Sequence, residues 1–337
     1  MTDDIFSVSD SGLLTNVNIK NNDEMIDFLE TPENVKVIGK QAFFCSRISH
    51  IKLNEGVIEI NEYAFSCSDM TEIDLPESLL IIRNYAFSMC RNLRKLCIPK
   101  NVYSIGKEIL RNSGSIEIEI NPENKYYTMK DNIIYTHDME TVVLKGTSEN
   151  DYVVLDDRVK NIYPNVFIEN PFIKKFELNE QNIKSGKNIF YGMIKLETVI
   201  FKNNKGESYE IDVSDIGKWN NEITEFNDFI ISDETNKEKN FKRLKKIKTK
   251  IMLAYYMVKT YNLEFYTEYL KKIGKRAINY FISTDYESGL EYMLEMSKPQ
   301  NVDEFIEFAN ENESTECQII LMNYKNENIG FENNLSL

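Results

Sequence analysis

Histidine is scarce in this chain: His50 and His137 are the only two among 337 residues, and neither sits in a metal-ligand spacing such as His-Glu-x-x-His. The five cysteines include no Cys-x-x-Cys pair, which removes zinc ribbons and thioredoxin-like redox motifs. No glycine-rich phosphate loop follows a strand-like run, and the paired acids Asp156 and Asp157 read as turn residues. An enzyme is not expected, nor a cofactor or a metal. Nothing approaches the ~18 apolar residues of a membrane span. The opening MTDDIFSVSDS has neither the basic nor the apolar segment of an export signal, so a cytoplasmic location is the expectation. Tryptophan occurs once, at Trp219. It reads as a core anchor under a C-terminal cap, with an interaction hot spot as the alternative.

What the chain does have is a block that recurs every 22 residues: VKVIGKQAF from Val35, VIEINEYAF from Val57 and LLIIRNYAF from Leu79. The apolar skeleton is a valine, an isoleucine three residues on, an Ala-Phe pair, then a Leu-x-x-Ile-x-Leu stretch. It runs through Val35, Ile38, Ala42, Phe43, Ile48, Ile51 and Leu53, and recurs from Val57 and from Leu79. A fourth coil starts at Val102 and Ile105, with Ile109 and Leu110 in the Ala-Phe slots. The pattern resumes at Val159, Ile162, Val166 and Phe167 and reaches Ile189, Phe190, Val199 and Phe201, giving about six coils. A fixed period of this length marks a solenoid, in which no coil buries its own apolar face and each leans on its neighbours.

The segments AFFCSRISHIKL, AFSCSDMTEIDLP and AFSMCRNLRKLCIP resemble the BspA-like class of bacterial leucine-rich repeats. DNIIYTHDMETVVL resembles the β-hairpin that commonly interrupts such arrays, and Ile5 to Asn16 resembles their N-terminal hairpin. The resemblance covers residues 5 to 201. It implies protein-protein or cell-surface binding, family members often being surface proteins, and it carries over no catalytic residue. The expected fold is an α/β repeat solenoid, a right-handed superhelix of short strands and helical turns, followed by a small all-α domain of about five helices. The divisions are an N-terminal cap with hairpin (1–34), the array (35–201) with a hairpin insertion near 121–157, a C-terminal cap and linker (202–240) and a helical domain (241–337).

Cys45, Cys67 and Cys90 follow the Ala-Phe pair of successive coils by two or three residues. The recurrence points to an interior ladder of small apolar groups, with disulfides or a metal site as the alternative. Residues 202–240 are polar, with two short β-like runs. From Phe241 the spacing turns helical through Leu244, Ile247, Ile251, Tyr255 and Val258. A second helix is read over 263–283, and a third opens at a Thr284-x-x-Glu287 capping box and ends before Pro299. A fourth starts at Asn301 or Asp303 and a fifth spans 314–326, suggesting ankyrin- or HEAT-like pairs.

Charge is uneven. From Thr235 onward 15 basic residues balance 15 acidic ones, so the net charge of −14 resides in residues 1–234, with 25 basic and 39 acidic residues. The array should favour basic partners and repel nucleic acid. Alternation along the strands predicts one outward row of His50, Glu72, Lys95, Glu117, Lys175 and Thr198, and a second of Lys52, Asp74, Cys97, Glu119, Glu177 and Ile200. These rows are the candidate protein-binding face of a non-catalytic scaffold; the alternative role is an adhesin. Eight cations between Lys237 and Lys250, with Lys242, Lys246 and Lys250 on one stripe, form either a solvated helix face or a site for nucleic acid or an anionic surface.

Overall fold

In a computed structural model, which describes residues 5–18, 25–146, 150–168 and 170–330, two residues in each central coil take left-handed backbone conformations. They are Gln41 and Cys45, Tyr63 and Cys67, Tyr85 and Met89, and Glu108 and Asn112. Positive φ twice within five residues forbids a helix. The Ala-Phe segments are therefore hydrogen-bonded turns where short helical turns were expected.

The chain opens with an antiparallel hairpin, β1 (Phe6–Val8) and β2 (Leu13–Val17). β3 (Ile26–Glu30) completes the first turn of the solenoid. Each following turn adds a very short and a longer strand: β4 (Val37–Ile38) and β5 (Ile48–Lys52), β6 (Glu59–Ile60) and β7 (Glu72–Asp74), β8 (Ile81–Ile82) and β9 (Lys95–Ile98), β10 (Ser104–Ile105) and β11 (Glu117–Ile120). The antiparallel pair β12 (Tyr127–Lys130) and β13 (Ile133–Thr136) interrupts the winding. It resumes with β14 (Thr141–Lys145) and β15 (Tyr152–Val154), β16 (Asn161–Ile162) and β17 (Lys175–Asn179), and β18 (Ser185–Gly186) and β19 (Thr198–Lys202); β20 (Ser208–Asp212) follows.

That is eight turns, where the repeat pattern counted about six. The two extra turns have no Ala-Phe pair: one buries Leu14 and Leu29, the other Val142 and Val153. DNIIYTHDMETVVL is accordingly only in part an insertion, since β14 pairs antiparallel with β13 and parallel with β16.

First strands stack on first strands, β2-β4-β6-β8-β10 and then β14-β16-β18; second strands stack as β3-β5-β7, β9-β11 and β15-β17-β19. Inside, identical slots touch from turn to turn. Phe65 lies between Phe43 and Phe87, with ring centres 4.8 and 5.3 Å away. Buried serines form a parallel hydroxyl ladder, Ser46 to Ser68 at 2.8 Å and Ser66 to Ser88 at 2.9 Å. Where the first ladder stops at β10, Tyr127 supplies a substitute: its hydroxyl accepts from Ile105 N at 2.9 Å and donates to Tyr103 O at 3.2 Å.

The array ends under a helix. Of the two β-like runs in 202–240, one is β20 and the other is α1 (Asn221–Ile230). Ile223, Phe226, Phe229 and Ile230 share its buried side, a spacing of three and four that β-propensity masked. Asn220 caps it by accepting from Glu222 N at 2.9 Å. Asn227 closes the last turn of the solenoid, accepting from Ile189 N at 2.9 Å and donating to Gly186 O at 3.0 Å.

The described residues form two units, 5–208 with 214–240, and 209–213 with 241–330. The second is built from α3 (Ile247–Tyr261), α4 (Glu264–Lys272), α5 (Gly274–Ser283), α6 (Glu287–Ser297), α7 (Asp303–Glu311) and α8 (Thr315–Asn328), preceded by α2 (Glu234–Arg243). Consecutive helices pair as α3/α4, α5/α6 and α7/α8, and the pairs stack in two layers, α3-α5-α7 and α4-α6-α8. Three sequence readings change here. The helix expected from Phe241 is two, broken at Lys246, which is extended (φ −75°, ψ 117°) amid like charges that oppose continuous winding. The helix expected over 263–283 divides at Ile273 and Gly274. Thr284 does not cap α6; its hydroxyl donates back to Tyr280 O at 3.0 Å and so finishes α5.

Candidate functional site

The second strands present a charged face. Register places Phe28, His50 and Glu72 side by side, then Glu30, Lys52 and Asp74, with Lys95 against Glu117 and Cys97 against Glu119. Ile51, Ile73, Leu96 and Ile118 alternate with them and are buried. The outward residues also pair among themselves: His50 Nε2 lies 2.8 Å from Asp74 Oδ2, Lys52 Nζ 3.0 Å from Glu30 Oε1 and Lys95 Nζ 2.6 Å from Glu119 Oε1. The last contact raises the Lys95 ammonium pKa and lowers that of the Glu119 carboxyl. Exposed pairs of this kind are screened by solvent and contribute little, so a partner displaces them at little cost.

Two further features of the face had no sequence signal. Phe28 is half-exposed and meets the His50 ring edge-on at 5.1 Å. It also lines an open groove of about 510 Å³ with Phe6, Val8 and Glu30.

The later candidates are arranged differently. Register pairs Lys175 with Thr198 and Glu177 with Ile200. Lys175 is exposed, but Glu177 and Ile200 are buried, which corrects their expected outward exposure. Glu177 accepts from Tyr152 Oη and from Lys202 Nζ at 2.7 Å. Burial pushes its carboxyl pKa up, and these two hydrogen bonds outweigh that and hold it below the usual range.

The basic run is dispersed. Lys237 is buried in an ion pair with Glu180. Lys242 lies 4.9 Å from the centre of the Phe265 ring, and Lys250 lies 4.7 and 5.3 Å from those of Phe241 and Tyr269. Burial lowers the Lys250 pKa. With Lys246 at the helix break, Lys242, Lys246 and Lys250 do not form a stripe on one helix.

Two other sequence readings are corrected. Trp219 is 56 % exposed and not a core anchor. Its ring lies over Gly192, a left-handed residue (φ 81°), and leaves no room there for a Cβ; it also meets Tyr191 edge-on. The cysteines do not form one interior ladder either. Cys90 is buried and donates to Phe65 O at 3.0 Å, in the slot of Ser46 and Ser68, whereas Cys45 is exposed and Cys67 half-buried, one residue earlier in their coils. All five cysteines are free thiols.

Among the described residues no group of three or more His, Cys, Asp and Glu side chains is placed to hold a metal ion, and no helix is long and apolar enough to cross a membrane. Asp156 is held down to about 2 by hydrogen bonds from the Arg158 side chain, within a turn. His137 is exposed at the turn between β13 and β14.

A cavity of about 50 Å³ lies where the winding is interrupted, lined by Leu110, Ile116, Val143, Lys145, Val166 and Ile168. Leu110 fills a phenylalanine slot incompletely, and the β14/β15 turn has no Ala-Phe pair to make up the volume. Lys145 occupies the gap and donates to Gly146 O at 2.8 Å. Burial lowers its ammonium from 10.5 to about 8. The full cost of that buried charge is present below the folded pKa and is relieved as pH rises from about 8 toward 10.5. Lys145→Met is expected to raise stability at pH 7 on the order of 1 kcal/mol. Urea unfolding at several pH values checks this, and the advantage should shrink as the solution becomes alkaline.

This geometry is that of a leucine-rich-repeat solenoid carrying a helical C-terminal region. The family model described as BspA type leucine rich repeat region matches in six copies over residues 16–140 and 137–211, more than half of the chain, and the protein belongs to that family. No curated protein matches it. Among solved structures it is similar to the pneumococcal vaccine antigen PcpA, with 20% identity, 60% of this chain and 68% of that one covered, and a TM-score of 0.45. It is also similar to a leucine rich cell surface protein from Faecalibacterium prausnitzii, with 19% identity, 50% and 57% coverage and a TM-score of 0.42. A leucine-rich repeat protein of T. pallidum shows 17% identity, 58% and 89% coverage and a TM-score of 0.36. The chain spans less than two thirds of the second of these.

Proposed function

We propose that the protein is a non-catalytic interaction scaffold whose exposed second-strand face engages a polar, basic segment of a protein partner. The observation that carries this reading is the charge of the face from β3 to β11. Glu30, Glu72, Asp74, Glu117 and Glu119 point outward against only Lys52 and Lys95, with His50 between them. Backbone hydrogen bonding to neighbouring turns fixes the strands that carry these groups, so little backbone entropy is lost on binding. Phe28 supplies an apolar contact at one end, and the remaining outward candidates, Lys175 and Thr198, lie on later turns of the same array. Affinity would accumulate over several turns and weaken with salt.

The test is a pull-down comparing the native chain with a variant carrying Glu72→Lys, Asp74→Lys, Glu117→Lys and Glu119→Lys. Specific partners should be lost from the variant while its circular dichroism spectrum is unchanged, and raised salt should elute them from the native protein. Retention of every specific partner by the folded variant overturns the reading.

A further inference from the structure

Three sulfur atoms occupy one place on three consecutive turns. Cys45, Cys67 and Met89 are spaced 22 residues apart, each left-handed, with φ of 54°, 59° and 59°. Each N–H reaches the next turn: Cys45 N to Ser66 O at 3.0 Å, Cys67 N to Ser88 O at 3.0 Å and Met89 N to Arg111 O at 2.7 Å. The three backbones are thereby held in register at the strand spacing of about 4.8 Å, and their side chains leave in the same direction. Cys67 Sγ lies 3.6 Å from Met89 Sδ. The row stops at Asn112, which holds the equivalent left-handed position on the next turn. Neither thiol is walled off: Cys45 is exposed, Cys67 half-buried and Met89 39 % exposed.

We propose that Cys45, Cys67 and Met89 form a surface site for a soft metal ion, Cu(I). Two thiolates at ~2.3 Å from a three-coordinate metal stand roughly 4 Å apart, a little less than the spacing of about 4.8 Å between neighbouring turns, a difference that rotation about the side-chain bonds takes up. Met89 adds a thioether on an unbranched side chain with three rotatable bonds, which lets its sulfur swing toward the ion as a third ligand. Thiolate and thioether donors together select Cu(I) and exclude hard cations such as magnesium or calcium. Binding changes no oxidation state. The two thiols release their protons to solvent, and two sulfur anions and one thioether donate lone pairs in place of the ligands the ion arrived with. A disulfide between Cys45 and Cys67 is the competing use of the same pair; both are free thiols in this structure.

The experiment is an anaerobic titration of the full, reduced chain with Cu(I) in the presence of the coloured chelator bicinchoninate. The native protein should withhold one equivalent of Cu(I). Cys45→Ser and Cys67→Ser should each abolish that retention, and Met89→Leu should weaken it on the order of tenfold or more. Cys90→Ser and Cys97→Ser should leave it intact. Cys45, Cys67, Met89 and Cys97 lie at exposed or half-buried positions, and Cys90→Ser places in a buried slot the serine that Ser46 and Ser68 supply on the preceding turns, so the core is preserved, which circular dichroism verifies; X-ray absorption at the copper edge should show a shell of sulfur alone. The proposal is overturned if the native protein withholds no Cu(I), if both Cys45→Ser and Cys67→Ser keep it, or if the protein isolated from cells has these two cysteines joined as a disulfide.

Discussion

Truncating Phe65 to alanine is expected to lower the stability of the array by about 3–5 kcal/mol, the largest loss of any single core change considered. The ring is fully buried and stacks on Phe43 and Phe87 at 4.8 and 5.3 Å, so its removal takes partners from the turns on both sides. Each stacked pair contributes roughly 0.5–1.5 kcal/mol beyond the area it buries. Left-handed residues on either side of the Ala-Phe pair hold the backbone in place, so the gap cannot close by collapse. Equilibrium urea unfolding followed by circular dichroism measures the effect. Phe28→Ala, at a half-exposed ring, is the control that should cost far less. A Phe65→Ala midpoint equal to that of the control would show that the stack does not hold the turns together.

Glu180→Ala is expected to cost nearly as much, ~3–5 kcal/mol, because it strands an ammonium in the interior. Lys237 lies 4 % exposed and Glu180 1 %. The ammonium donates to the Glu180 carboxylate, to Phe229 O at 3.0 Å and to Ile230 O at 3.2 Å, so its three protons have three acceptors. The pair ties α2 and the end of α1 to the turn that follows β17. Replacing both partners with apolar residues, Glu180→Leu and Lys237→Met, removes charge and counter-charge together and should recover most of the loss. A double-mutant cycle on thermal or urea unfolding checks this, and a single Glu180→Ala change that leaves the midpoint untouched would contradict it.

The central turns were legible because Val35, Ile38, Ala42 and Phe43 and their equivalents meet only their own kind, so burial imposes the repeat directly on the chain. The turns built on Leu14 with Leu29 and on Val142 with Val153 were not legible. Neither carries the Ala-Phe pair that marks the central turns. The outward rows from His50 to Glu119 were readable from alternation alone. The burial of Glu177 was not, because side-chain reach from Tyr152 and Lys202 lies outside any local pattern. The cysteines misled by one position: AFSMC sets Cys90 inside, whereas the shorter AFFC and AFSC leave Cys45 and Cys67 at the left-handed residue outside. In Lys237 to Lys250 the charges were visible but their spacing about one axis was not, since one helix stops at Arg243 and the next begins at Ile247.

The hydroxyl of Tyr127 has a consequence for how such a protein tolerates change. A hairpin spliced into a ladder ordinarily leaves a row of unanswered amides, the kind of seam along which chains zip together into aggregates. Here a single phenol plays the part of the absent peptide unit for Ile105 and Tyr103, so the array carries its insertion with both of these backbone groups answered.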